Sequence, residues 1–200
     1  MVLHVVWLYN QSMARRSVRD ERRAEIVEGF ARVLAEHGYA GATIAAIAEK
    51  TGVAPGLVHH HFTDKSDLLE SLLDTLLARF RSRIRLFEDS DQSLNAYAEA
   101  AISLKKGVDI VAARCWVGVF AEAVRSPRLF ARMRRLVDSE IETIRRRSSN
   151  RLDTADAGAV LAFIIGALIV GAFAPRKTAG FAAPALETLI DALIARDGGV

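Results

Sequence analysis

His59, His60 and His61 form an unbroken run, with Thr43 ahead of them and Lys65 shortly after. Imidazoles can ligate a metal ion or hydrogen-bond to a nucleic acid. Successive helical residues point about 100° apart, so three in a row cannot converge on one ion. No metal site is expected within one chain. The other chemistry is recognition of duplex DNA. A threonine hydroxyl, backbone N–H groups and a lysine ammonium suit phosphate oxygens, and side chains on an exposed helix face suit base edges. A histidine placed beside phosphates has its charged form favoured, which predicts tighter DNA binding near pH 6.

These residues need two short helices to carry them, and the stretch Thr43 to Phe62 supplies the pattern. Ile44, Ile47 and Ala48 recur at i, i+3, i+4 and share one helical face. Thr43 stands at the N-cap position. Gly52 suits the left-handed residue that ends a helix. Val53 is expected to plug the turn, and Pro55 fits the first turn of a second helix, where its missing N–H costs nothing. Leu57 or Val58, with Phe62, gives that second helix an inward face. His61 is expected to be a partly buried ring. The layout is that of a helix-turn-helix, whose second helix enters the major groove. An ordinary helical hairpin is the alternative, but the second helix is too short and too polar to exist for packing alone.

The spaced residues Gly38-Tyr39, Thr43, Ile47-Ala48, Gly52-Val53, Gly56-Leu57, His60, Phe62, Lys65 and Leu68 resemble the TetR family of bacterial transcriptional regulators. The likeness runs from about Ile26 to Leu73. It implies an all-α homodimer of about nine helices per chain, with an N-terminal three-helix DNA-binding domain and a larger helical domain that senses a small molecule. The resemblance implies that Thr43 and Lys65 meet phosphates, and that Ala45, Ala54, Pro55 and Gly56 face the groove. It also implies that His59 lies near the DNA backbone, with His60 in the same interface. No Arg, Asn or Gln lies between Ala54 and Phe62, so bidentate reading of purine edges is limited. Apolar contacts to thymine methyls, histidine hydrogen bonds and shape readout are expected instead.

The chain has 200 residues, 51% of them hydrophobic and 26% charged, with four prolines and a net charge of +3. This is the composition of a globular, mainly helical protein rather than a disordered one. The single cysteine, Cys115, cannot form an intramolecular disulfide, which fits a reducing cytoplasm. Arg15, Arg16, Arg19, Arg22 and Arg23 form a basic arm that either follows DNA or is merely the solvated start of a helix. Residues 1–18 read as a flexible extension. Val2 to Tyr9 is apolar without a basic n-region, and Met13 looks like a natural start. Residues 19–65 are expected to form the DNA-binding domain and residues 66–200 the effector-binding and dimerisation domain.

Beyond Lys65 the punctuation predicts six more helices. The first runs to about Phe87, with an acidic break at Glu88-Asp89-Ser90-Asp91. Others follow over about 93–106, 108–125, 127–149 and 154–174. A loop through Pro175 and Gly180 is then expected before a last helix from about Pro184 to Arg196. In the family the long helix after Lys65 transmits ligand-induced motion. Ala157 to Ala174 carries no charge, which suits either a membrane span or a helix buried on nearly all sides. The second is favoured. Ala162, Gly166, Ile169 and, on the last helix, Leu189 are expected at a dimer interface, since relatives pair through their last two helices.

Trp116 to Ala123 followed by Pro127 and Leu129 resembles the choline-responsive BetI branch. Tyr97, Trp116, Phe120, Glu122 and Phe163 are the candidate effector pocket, and Glu99 could also hold a cation there. Plain core packing explains the same aromatics. Ile165, Leu168 and Val170 depart from that branch, so the effector is either a choline-like cation or an apolar molecule. No phosphate loop, nucleophile elbow or metal-spaced cluster marks an enzyme, and no cofactor is expected. The leading reading is a repressor that binds a palindromic DNA operator as a homodimer and is released by a small molecule, with no membrane partner. The alternatives are a helix-turn-helix protein without an effector and, more remotely, a helical enzyme.

Overall fold

A computed structural model describes residues 2–88, 93–102 and 109–197, with side chains described over 18–86, 93–102 and 109–196. Asp89-Ser90-Asp91 and Gly107, expected as breaks, lie outside the described residues, as do the side chains of Val2 to Tyr9, Arg15 and Arg16. Nine helices account for the described secondary structure, with no strand among these residues: α1 (Val2–Gly41), α2 (Ile44–Thr51), α3 (Pro55–His61), α4 (Lys65–Glu88), α5 (Leu94–Ile102), α6 (Ile110–Ala123), α7 (Pro127–Arg147), α8 (Thr154–Phe173) and α9 (Pro175–Asp197). The chain divides into two compact units, Met1–Leu72 and Leu73–Val200.

In the first unit α1 packs on α2 and α2 on α3. Gly38 takes φ 69°, breaking the helical path of α1 before Gly41. The apolar stripe Ile26, Phe30 and Val33 is buried, as are Ile47, Val58 and Leu68 of the following helices. Each such side chain contributes on the order of 1.5–3 kcal/mol relative to exposure. Gly29 sits on the same face, where a Cβ would collide with the side chain of Thr51. Its bare backbone lets α1 and α2 approach closely.

In the second unit α8 packs against α5, α6, α7 and α9. Val160, Ile164 and Ala167, at i, i+4 and i+7, form the buried stripe of that helix. Its one buried carboxylate, Asp156, accepts both 2.6 Å hydrogen bonds from Nη2 of Arg196. By length and composition alone α8 and α9 could each cross a membrane, yet α8 carries much of this unit's core.

The expected loop through Pro175 and Gly180 is not a loop. α9 begins at Pro175 and continues through Pro184. A helical proline clashes with the carbonyl four residues earlier and removes one hydrogen bond. Here that earlier residue is glycine, and Thr178, Ala182, Leu186 and Ile190 form a buried stripe at i, i+4, i+8, i+12. Packing of that stripe outweighs the local cost. The described part of α5 spans Leu94–Ile102, and α6 spans Ile110–Ala123, slightly inside the expected 108–125.

Candidate nucleic-acid interface

The turn between α2 and α3 is fixed by backbone geometry. Thr43, extended at φ −82° and ψ 156°, accepts a hydrogen bond from Ala46 N on its hydroxyl at 3.1 Å. Gly52 is left-handed, with φ 69° and ψ 20°, and its N–H closes onto the carbonyls of Ala48 and Glu49. Val53 N then donates to Ala48 O at 3.1 Å. Lys50 bridges to Glu36 at 2.7 Å, tying α2 to α1 and holding the Glu36 carboxyl below its usual pKa, chiefly through that hydrogen bond.

Helix α3 starts at Pro55 after Ala54, which offers no side-chain cap. Val58 and His61 point inward, and Phe62, which ends the helix, is buried with them. Ala54, Pro55, Gly56, His59 and His60 are all exposed and form one continuous face. Thr43 and Ala45 are exposed beside them in sequence. A Cβ built on Gly56 meets nothing within 4 Å, so the protein itself does not require glycine there.

Two cations hold α3 and the start of α4 in place. Arg23 donates from Nη1 to His61 O at 2.5 Å and from Nη2 to Ser71 Oγ at 2.7 Å and Asp67 Oδ1 at 3.2 Å. Its guanidinium carbon lies 4.0 Å from the Phe62 ring centre. Its place in the basic arm is therefore corrected: Arg23 is a clamp inside this unit, and Arg22 pairs with Glu25 at 2.6 Å. Lys65 is half-buried, and its Nζ donates to Tyr39 O at 2.6 Å. Asp64 Oδ1 accepts from Asp67 N at 2.9 Å, and Asp67 Oδ2 accepts from Thr63 N at 3.2 Å, which fixes the first turn of α4.

His61 is buried, and its Nδ1 has no hydrogen-bond partner. Desolvation, then the nearby charges of His60, Arg19, Arg23 and Arg22, hold its pKa below the usual histidine value. For this one of the three histidines, charging is thus disfavoured in the fold. Its ring packs edge-on against His60, with centroids 5.4 Å apart. Among the described residues no cluster of His, Cys, Asp and Glu has metal-binding geometry.

The second unit contains a small cleft, of about 60 Å³, where Tyr97, Trp116 and Phe120 come together. Trp116 and Phe120 ring centres are 6.0 Å apart. Glu122 and Phe163 do not line it: Glu122 lies near the end of α6, and Phe163 packs against the core of the unit. The carboxylate in the cleft is Glu140 of α7, which accepts from Tyr97 Oη at 2.7 Å. Phe80 completes an edge-on pair with Tyr97. Neither stood out in the sequence, because one lies among many charges of a long helix and the other in an ordinary apolar stripe. Glu99 is exposed, and Cys115 is fully buried.

On α8 and α9 the residues expected at a dimer interface are not enclosed by the chain. Ala162 is exposed, and Gly166, Ile169 and Leu189 are half-buried. Phe173 is 77% exposed and Phe181 47%.

Residues 26–72 match the family model described as bacterial regulatory proteins, tetR family. The HTH-type transcriptional regulator BetI of Paraburkholderia phytofirmans is 29% identical over 186 residues, covering 90% of this chain and 84% of that protein. BetI of Escherichia coli O139:H28 is 27% identical over 166 residues, with coverage of 78% and 84%. A TetR transcription regulator from Haloarcula marismortui shares the fold at TM-score 0.74 and 22% identity, over 86% of this chain and 98% of that one. A transcriptional regulator from Rhodococcus sp. Rha1 does so at TM-score 0.72 and 20% identity, over 86% and 96%. A glycine-capped α2 and an α3 that turns one face out agree with these matches: residues 26–72 form a bacterial regulatory domain of the tetR family, and the chain is similar to BetI transcriptional regulators over most of its length.

Proposed function

We infer that the protein is a cytoplasmic repressor that binds a palindromic operator as a homodimer and leaves it when a small molecule occupies the second unit. The observation that carries this reading is the outward face of α3. Ala54, Pro55, Gly56, His59 and His60 are exposed together on a helix whose other side is buried. With Thr43, Ala45 and Lys65 they form the proposed DNA contact set, within a DNA-binding domain of residues 19–65. Ala54 and Pro55 would meet thymine methyls, and the histidines would supply hydrogen bonds. Residues 66–200 would hold the effector and the dimer contacts. The uncovered apolar stripe on α8, from Ala162 through Gly166 and Ile169 to Phe173, supports pairing, because two-fold packing would remove it from water. The cleft at Tyr97, Trp116 and Phe120 supports an effector with a large apolar surface.

The test is selection of random duplexes by the purified protein, followed by titration of the selected sequence at two salt concentrations. A palindromic sequence bound by a dimer at nanomolar affinity is the expected result. No enrichment over non-specific binding overturns the reading of α3.

A further inference from the structure

A second, small cavity of the C-terminal unit, of about 50 Å³, has a cationic group in an otherwise largely apolar wall. That group is Arg83 of α4. Its Nη2 donates to Ala101 O at 3.1 Å, near the end of α5, while its Nε is buried and has no acceptor. Asp109 borders the same cavity, but its carboxylate already caps α6 by accepting from Ala112 N at 2.9 Å. Burial works against the charge of Arg83, and the field of Asp109 only partly offsets this. Arg83 is half-buried, with its guanidinium carbon 5.6 Å from the Phe80 ring centre, and a partly desolvated guanidinium gains from an anion of matching geometry.

Ala113, Ala167 and Gly171 line the same cavity as Arg83, and Trp116 and Leu168 border both this cavity and the aromatic cleft. Among the described residues the one carboxylate on the aromatic cleft is Glu140, which is held by Tyr97. Glu140 repels an acidic ligand group at that end; at the other, Arg83 attracts it while Asp109 opposes it in part. We propose that Arg83 anchors the acid group of an amphipathic carboxylate, whose apolar body lies against Trp116 and Leu168. The inference rests on the effector reading above and gives that effector its chemical class. A carboxylate is the best planar match to the guanidinium fork, which presents two parallel N–H donors.

The test is calorimetric titration of the full-length protein, without DNA, with decanoate, decanol and decyltrimethylammonium. Decanoate should bind the wild-type protein about tenfold or more tightly than decanol, and the ammonium compound more weakly still. Arg83→Gln should bring decanoate down to the level of decanol and leave decanol unchanged. Arg83→Lys, which keeps the charge and the donor to Ala101, should retain part of the preference and covers the case in which the glutamine variant does not fold. Equal binding of acid and alcohol by the wild type overturns the proposal, as does preference for the ammonium compound. A parallel loss for both ligands in Arg83→Gln also overturns it, because that marks a collapsed cavity. Since no DNA is present, failure of the operator selection and failure of this assay are separate results.

Discussion

The ammonium of Lys65 lies 4.3 Å from the ring centre of Tyr39 while donating to the carbonyl of the same residue. The residue proposed to meet a phosphate thus also ties α4 to the end of α1. Lys65→Ala should remove both roles. The loss of a cation–π contact and a charged hydrogen bond at a half-buried site costs about 1–2 kcal/mol of stability. Loss of one phosphate contact should weaken binding to all duplexes alike and lower the salt slope by about one unit. Titration at several salt concentrations, with thermal melts alongside, separates the two. An unchanged slope removes Lys65 from the contact set.

Gly56 and Gly29 should respond in opposite ways to the same substitution. At Gly56 an added methyl meets open space, and alanine is the better helix former by about 0.5–1 kcal/mol. Gly56→Ala should therefore leave stability equal or higher. If α3 lies against DNA, the methyl should still weaken operator binding. A variant that melts higher and binds the operator as before would remove Gly56 from the interface.

Gly29→Ala places a methyl against Cγ2 of Thr51, whose hydroxyl is committed to Ile47 O at 2.7 Å. Thr51 must turn its side chain and give up that hydrogen bond, or α1 and α2 must separate. A loss of about 1–3 kcal/mol is expected, as for other overpacked contacts. The double variant with Thr51→Ser, which lacks the clashing methyl and keeps the hydroxyl, should recover most of it. Chemical denaturation of the four proteins of this cycle gives the coupling directly.

Much of the first unit was legible because local rules agree there. Thr43, Gly52 and Pro55 each favour the conformation they adopt, and the stripe from Ile26 to Val33 fixes the buried face of α1. Long-range partners were not legible. Nothing near Arg23 in sequence points to Ser71 or Asp67, and nothing near Tyr97 points to Glu140. Gly180 and Pro184 misled because they are helix breakers by local propensity. The buried stripe that overrules them is visible only once α8 lies alongside. Arg83 reads as one more arginine of an amphipathic helix, and only its unpartnered Nε and its place on a cavity wall set it apart.

The uncovered stripe on α8 predicts the assembly state. Gly166 has open space where a Cβ would stand, and Phe173 is largely exposed. If two chains pair there, Gly166→Arg should cost little in the folded monomer but place a bulky charge in the interface. Light scattering should then report a monomer for this variant and a dimer for the wild type. A dimeric Gly166→Arg protein would place the dimer contact elsewhere.

His61 makes the stability of the first unit depend on pH. Its pKa in the folded chain lies below the 6.5 of an ordinary histidine, because burial and the neighbouring cations penalise the charged ring. The unfolded chain therefore binds more protons as pH falls through that range, and stability decreases with it. The contribution is complete above the unfolded pKa and is lost as pH drops through 6.5 toward the folded value. Melting temperatures should fall between pH 7.5 and pH 5.5. His61→Phe, which keeps a planar ring and removes the unpartnered Nδ1, should flatten that dependence. Tighter operator binding near pH 6, expected from histidines beside phosphates, is a separate quantity and would have to come from the exposed pair His59 and His60. Measuring affinity at fixed salt in both the wild type and His61→Phe keeps the two effects apart. If the variant retains the full acid loss of stability, the titrating group lies elsewhere in the chain.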